Sequence, residues 1–191
     1  MYLKKLFTFA VVILAAIVIT GCLTTETKEY RFKINQDGSG EGKIKFINIV
    51  SEEDEEQDVS FNDFGELISD YMEGHTFETD NPHYEVLDKR LYEENGVLVG
   101  EVSFKFVHAD SVGFLRNTDC DCAPLLYYLG SLSETLLETN GEYLGLGRDF
   151  PIIQWPAGTE ELFFKTSVKE DMSDAHGLLP LYQTWLENKE E

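Results

Sequence analysis

Positive charge is what this sequence has least of. Fifteen lysines and arginines stand against 36 aspartates and glutamates, a formal net charge of −21. That balance excludes a nucleic-acid partner, because phosphates are bound by the basic side chains that neutralise them. It also excludes attachment to an anionic membrane through a basic patch. Catalytic signatures are missing as well. There is no Gly-x-Ser-x-Gly nucleophile elbow and no His-Glu-x-x-His zinc helix. The four histidines, His75, His83, His108 and His176, are scattered without ligand spacing. No catalytic, cofactor-binding or metal-binding residue is assigned, and enzyme activity has no support in the sequence. Cysteine is scarce too, at three residues. No internal repeat or low-complexity linker divides the chain.

What is present begins at the N-terminus. Lys4 and Lys5 precede an uncharged apolar run from Leu6, which ends in Ile19-Thr20-Gly21-Cys22. Basic residues, an apolar stretch and a small residue before a cysteine resemble a bacterial lipoprotein signal. Residues 1–21 are then a signal peptide, and Cys22 is the mature N-terminus and the site of lipid attachment. The competing assignment is an uncleaved membrane helix, since Leu6–Leu23 touches the lower limit for a span, roughly 17 to 20 residues. The lack of a basic stop-transfer cluster and the cysteine behind a small residue favour cleavage. The expected address is the cell envelope, lipid-anchored and facing out of the cytoplasm. Leu23 after the cysteine, in place of an acidic residue, resembles outer-membrane sorting.

Thirteen phenylalanines and nine tyrosines are far too many for a disordered chain. Leu23 to Glu29 reads as a polar tether, 22–29 with the lipidated cysteine, followed by one domain over 30–191. Tyr30, Phe32 and Ile34 alternate with Arg31, Lys33 and Asn35, the period of a strand with one buried face. Asp37-Gly38-Ser39-Gly40 then supplies a turn, and Ile44 and Phe46 resume the alternation, which predicts a β-hairpin. A lipobox, a few polar residues and Tyr30-Arg31-Phe32 running into Asp37-Gly38-Ser39-Gly40 resemble the start of uncharacterised Gram-negative lipoproteins. That resemblance covers roughly the first 50 residues and implies an envelope lipoprotein, with no catalytic residues carried over.

Further along, Glu52–Glu56 is an acidic run that reads as a solvated loop. Phe61, Phe64, Leu67, Ile68, Tyr71 and Met72 recur at helical spacing, with Ser60 and Asp63 as a capping pair and Gly74 as the stop. A second hairpin is expected about Asn95-Gly96, with Val102, Phe104 and Phe106 on one face. Asp110 to Pro124 is irregular, and Leu125 to Leu146 reads as β-structure broken at Asn140-Gly141. Pro156-Ala157-Gly158 forms a turn between strands at Ile152–Trp155 and Glu161–Val168. Leu178, Leu181, Tyr182, Trp185 and Leu186 form a closing helix with Pro180 in its first turn. The class expected is α+β: one antiparallel sheet built from hairpins, with two amphipathic helices packed on one face.

Two constellations bear on chemistry. In Asp119-Cys120-Asp121-Cys122 the two thiols lie two residues apart and can face one point in an extended segment. A structural disulfide, a redox pair and half of a metal site all remain open there, although neither flanking acid favours a thiolate. The Asp37-Gly38 turn is no calcium loop, because Lys33 and Ile44 would fall on ligand positions. Gly145-Leu146-Gly147 reads as a turn. The function expected is a membrane-anchored envelope lipoprotein with a non-catalytic binding or structural domain. Its partners are the membrane, through acyl chains such as palmitate on Cys22, and an envelope protein or apolar ligand. The alternative is a thiol-redox or metal-handling lipoprotein centred on Cys120 and Cys122.

Overall fold

The computed structural model describes residues 23–116, 120, 122–145 and 151–189. Cys22 and the leader before it lie outside the described residues. The first strand, β1 (Leu23–Ile34), pairs antiparallel with β2 (Gly40–Glu52). Their turn is closed by Asp37, whose carboxylate accepts from the backbone N–H and the hydroxyl of Ser39 at 3.0 and 2.7 Å. β3 (Glu85–Glu94) and β4 (Val97–Phe106) form the second hairpin. Asn95 and Gly96 at its tip have φ of +53° and +79°, the left-handed pair that a tight two-residue hairpin needs.

The large sheet continues through β10 (Leu162–Ser167) and β7 (Thr135–Thr139), in the order β3-β4-β2-β1-β10-β7. A short β11 (Ala175–Gly177) pairs with the Val50–Glu52 end of β2, beyond the point where β4 stops. β5 (Phe114–Leu115), β6 (Leu125–Tyr128), β9 (Ile152–Trp155) and β8 (Glu142–Tyr143) make a second sheet in that order. The strands on either side of Pro156-Ala157-Gly158 therefore belong to different sheets.

The two faces of the large sheet are chemically distinct. Tyr30, Phe32, Ile44, Val102, Phe104, Phe106, Leu162 and Phe164 alternate inward, and with Phe114, Trp155 and Ile153 of the second sheet they form one aromatic core. Glycine is required at two inward positions of β2. A Cβ on Gly42 would fall 2.6 Å from the Phe104 ring, and one on Gly40 would fall 2.4 Å from the Phe106 ring. The rings of β4 thus lie flat across the neighbouring strand. On the outer face charges pair across strands, with Arg31–Glu161 at 2.7 Å, Lys43–Glu101 at 3.1 Å, and Arg90–Glu101 and Lys45–Glu94 in close contact.

The helical content corrects the expected fold class. The chain is mostly antiparallel β, and a second sheet, not a pair of helices, covers the aromatic half of the inner face. The apolar spacing over 61–72 gives only a short segment: α1 (Ser60–Glu66), running directly into a π-helical stretch at Leu67–Met72. The wider winding is fixed by Glu73 N–H donating to the Ile68 carbonyl at 2.9 Å. A single turn, α2 (Thr76–Asp80), follows, and α3 (Leu179–Lys189) ends the chain. The expected α+β arrangement fails because the short strands β5, β6, β8 and β9, with no strong alternation of their own, assemble into a second sheet through pairing between segments distant in sequence. The capping pair also differs. Asp58 accepts from Ser60 N–H at 2.9 Å, while Asp63 is buried and accepts from the Ser51 hydroxyl at 2.6 Å, fastening α1 to β2.

A second correction concerns the start of the domain. Leu23 to Glu29 is not a tether but the first half of β1, in register from Leu23 opposite Ser51. Its polar residues hid this, because Thr and Glu alternate with no apolar partner until Tyr30. Ile49, Phe64, Leu67, Leu98, Leu178 and Tyr182 form a second, smaller apolar cluster, against which Leu23 packs.

Candidate functional site

Between the two clusters the inner face of the sheet is left partly uncovered, and a cleft of about 500 Å³ lies there. It follows β1 from Leu23 and Thr24 to Lys28 and Tyr30. Ile44, Phe46, Ile49 and Val102 form its floor, Leu67, Tyr71, Met72 and Phe77 one wall, and Tyr84, Tyr127, Leu132 and Glu134 the far end. Gly100 lines the floor, and a Cβ there would fall 3.0 Å from Ile49. A second, more open hollow of about 620 Å³ adjoins it beside Trp185 and shares Met72, Lys89 and Leu91 with it.

Polar groups concentrate at the far end. Glu134, just before β7, has a side chain only 4% exposed. Such a carboxylate is tolerable only with donors around it, and it has three. Lys28 Nζ donates at 2.8 Å, the Thr166 hydroxyl at 2.6 Å, and the Tyr30 hydroxyl reaches both oxygens at 3.0 and 3.1 Å. Strand register explains the convergence. Lys28, Tyr30 and Phe32 share one face of β1, and Lys28 sits opposite both Phe46 and Thr166. The ammonium also lies 5.6 Å from the centre of the Phe46 ring, a cation–π distance.

Three further tyrosines bring hydroxyls to the cleft. Tyr84 stacks flat on Phe104 with ring centres 3.9 Å apart, and Tyr127 lies tilted against Phe164 at 4.9 Å. Tyr71 stands on the π-helical wall. Among the described residues, none of these three hydroxyls makes a hydrogen bond. Burial pushes the Tyr84 and Tyr127 phenols above their ordinary range, and the Glu134 charge adds to this at Tyr127. Burial, then Glu134, does the same to Tyr30. All therefore remain neutral hydroxyls. The charged lysines of the cleft are already engaged, Lys28 with Glu134 and Lys89 with Glu78 at 3.0 Å and the Gly74 carbonyl at 2.7 Å. The arrangement offers rings, an apolar floor and neutral hydroxyls, with one buried carboxylate that accepts from Lys28, Tyr30 and Thr166.

The residues singled out from the sequence lie elsewhere. Cys22 lies outside the described residues, as do Asp119 and Asp121. Cys120 and Cys122 are joined in a disulfide, with Cα atoms 5.1 Å apart. Cys122 is exposed, and neither cysteine lines the cleft. The histidines are not brought together: His176 lies 3.0 Å from Glu53, His75 stands 3.7 Å from Glu78, and His83 and His108 are exposed. Among the described residues no group of three or more His, Cys, Asp or Glu side chains is placed to hold a metal ion. No helix among them is long and apolar enough to cross a membrane.

Lys28, Tyr30, Tyr84, Tyr127 and Glu134 were missed as a site. One signal was available: Lys28 falls in phase with Tyr30 and Phe32, so a strand begun earlier would have placed a lysine on the buried face. Glu134 carried no comparable signal among 36 acids. Comparison of the chain with protein-family models, with curated proteins and with solved structures finds no match.

Proposed function

We propose that this chain is a lipid-anchored protein of the bacterial cell envelope, held by Cys22 and facing out of the cytoplasm in the outer membrane. Its domain is a non-catalytic binding module whose ligand occupies the cleft along β1. The observation that carries the binding role is the cleft itself: rings and apolar side chains on three sides, with neutral hydroxyls at one end. Pockets of this size and lining are the usual place for a small apolar ligand. The anchor is supported by the order of Lys4, Lys5, the apolar run and Gly21-Cys22.

Two measurements test the two parts. Intact mass of the protein extracted from envelopes should show residues 1–21 removed and acyl chains on Cys22, whereas a retained Met1 would refute the anchor. A neutral apolar fluorophore, N-phenyl-1-naphthylamine, should brighten on binding residues 23–191. Val102→Trp, which fills the floor of the cleft, should abolish that response in a protein whose thermal unfolding stays cooperative. An unchanged response would refute the cleft as the site.

A further inference from the structure

The Lys28–Tyr30–Glu134 network lies at one end of the cleft, and the apolar side chains of Leu23, Ile49 and Leu67 gather toward the other, the end nearest the anchor. Leu23, the first residue after Cys22, lines it, and so do Thr24 and Thr25. With β1 starting at Leu23, no tether separates the anchor from the fold. Seven residues of antiparallel strand separate Leu23 from Tyr30, about 24 Å. Along that length the surroundings change from Leu23, Ile49, Leu67 and Met72 to the hydroxyls of Tyr84 and Tyr127 beside the Lys28–Tyr30–Glu134 network.

From this gradient we infer that the cleft takes a single-chain, uncharged amphiphile from the membrane to which the protein is anchored, a monoacylglycerol or a lipid of the same chemistry. Its hydroxylated head lies against Tyr84 and Tyr127, and its acyl chain runs back over Phe46 and Ile49 toward Leu23. The inference rests on the anchored-binding-module proposal and adds the ligand class.

Three observations select the head. Among the described residues of the lining an anionic head would meet no unpaired cation, since Lys28 is bound to Glu134, Lys89 to Glu78 and Arg90 to Glu101 and Asp88. It would also face the Glu134 carboxylate and a chain of net charge −21. A cationic head would meet Lys28, and a carboxylate whose oxygens already accept from Lys28, Tyr30 and Thr166. A hydroxylated head meets the Tyr84 and Tyr127 hydroxyls, which burial keeps protonated and able to donate or accept.

The test uses the full lipidated chain in phosphatidylcholine vesicles. These carry either a monoacylglycerol or the corresponding free fatty acid, each with a diazirine at the same position of the chain. After irradiation, the labelled residues are mapped by mass spectrometry. The expected result is label from the monoacylglycerol on Phe46, Ile49 or Val102, several-fold above that from the fatty acid. Tyr84→Phe should narrow that preference at least threefold, and an unchanged preference would overturn the role of its hydroxyl. Leu132→Trp, at the half-buried far end, serves as the blocking variant if Val102→Trp does not fold. Equal labelling by both probes would overturn the choice of head, and label confined to residues outside the cleft would overturn the ligand class. If the fluorophore still binds in either case, the binding-module proposal stands without this ligand; if the fluorophore also fails, that proposal falls first.

Discussion

The two ends of one sheet face are closed in different ways. At the end where the second sheet lies, Phe32, Phe104, Phe114, Trp155 and Phe164 are fully buried and interlock edge to face or tilted. At the other end α1, its π-helical continuation and α3 provide the cover, and only Ile49, Phe64, Leu67, Leu98, Leu178 and Tyr182 are buried together. A sheet presents a continuous row of inward side chains at fixed spacing, so two sheets can fill the space between them. Short helical pieces cover patches, and the cleft lies where the patches do not meet the second sheet. The sheet-covered end holds most of the fully buried rings, and the cleft lies at the boundary beside the helix-covered end.

The sharpest way to break this contrast is to remove a ring from each end. Phe104→Ala should cost about 3 to 5 kcal/mol, because Phe104 is wholly buried, stacks on Tyr84 and covers Gly42. Leu178→Ala, at the helical end, should cost about 2 to 3 kcal/mol, the lower part of the range for leucine, because its surroundings border a cleft and can relax. Chemical denaturation of both variants checks the order, and equal losses would show the helical end to be packed as tightly as the sheet end.

Tyr30→Phe probes the boundary itself. It keeps the stack on Phe164, with ring centres 4.5 Å apart, and removes one donor from the buried Glu134. A loss of about 1.5 to 3 kcal/mol is expected, the scale of a hydrogen bond to a charged group. A loss near zero in urea unfolding would show that Lys28 and Thr166 suffice. Away from both ends, replacing Cys120 and Cys122 with serine should cost no more than about 1.6 kcal/mol, the entropy of so small a loop. It should also leave cleft binding intact. If the same change abolished a cellular role while the fold and the cleft were preserved, the redox alternative would return.

The smallest effect is expected on the outer face. Burial works against the Glu101 charge, but Lys43 and Arg90 hold its carboxyl below the usual carboxylate range. The stability it adds is therefore complete above the unfolded carboxylate value, about pH 4.3. It is lost as pH falls through the lower value of the folded state. Glu101→Gln should cost about 1 kcal/mol at neutral pH, since both basic partners are solvent-screened. At the bottom of the acid limb the cost should vanish. Unfolding curves from pH 7 down to pH 3 check this, and a cost that stays constant with pH would mean that the charge contributes nothing.

Local signals were legible where a short stretch of sequence contains its own partner. Both hairpins follow from Asp37-Gly38 and Asn95-Gly96, because the turn conformation and the flanking alternation lie within a few residues. Phe32, Phe64 and Phe104 were legible as inward-facing and are buried, while Phe46 is only partly so because it lines the cleft. The second sheet was not legible. Its strands run from two to four residues and pair across tens of residues, as with Leu125 opposite Trp155. The site was the least legible element, since its parts come from β1, β10, the segment before β3, β6 and the residue before β7.

The sequence by itself determined the excess of acid, the two hairpins, the inward row of aromatic residues and the C-terminal helix with Pro180 in its first turn. Each depends on composition or on a period of two to four residues. Only the tertiary structure decided that Leu23 to Glu29 is strand, that a second sheet covers the aromatic half, and that Lys28, Tyr30, Thr166 and Glu134 meet. Those outcomes depend on cross-strand register and on the space left between covering elements, which are properties of the packed chain and not of any single segment.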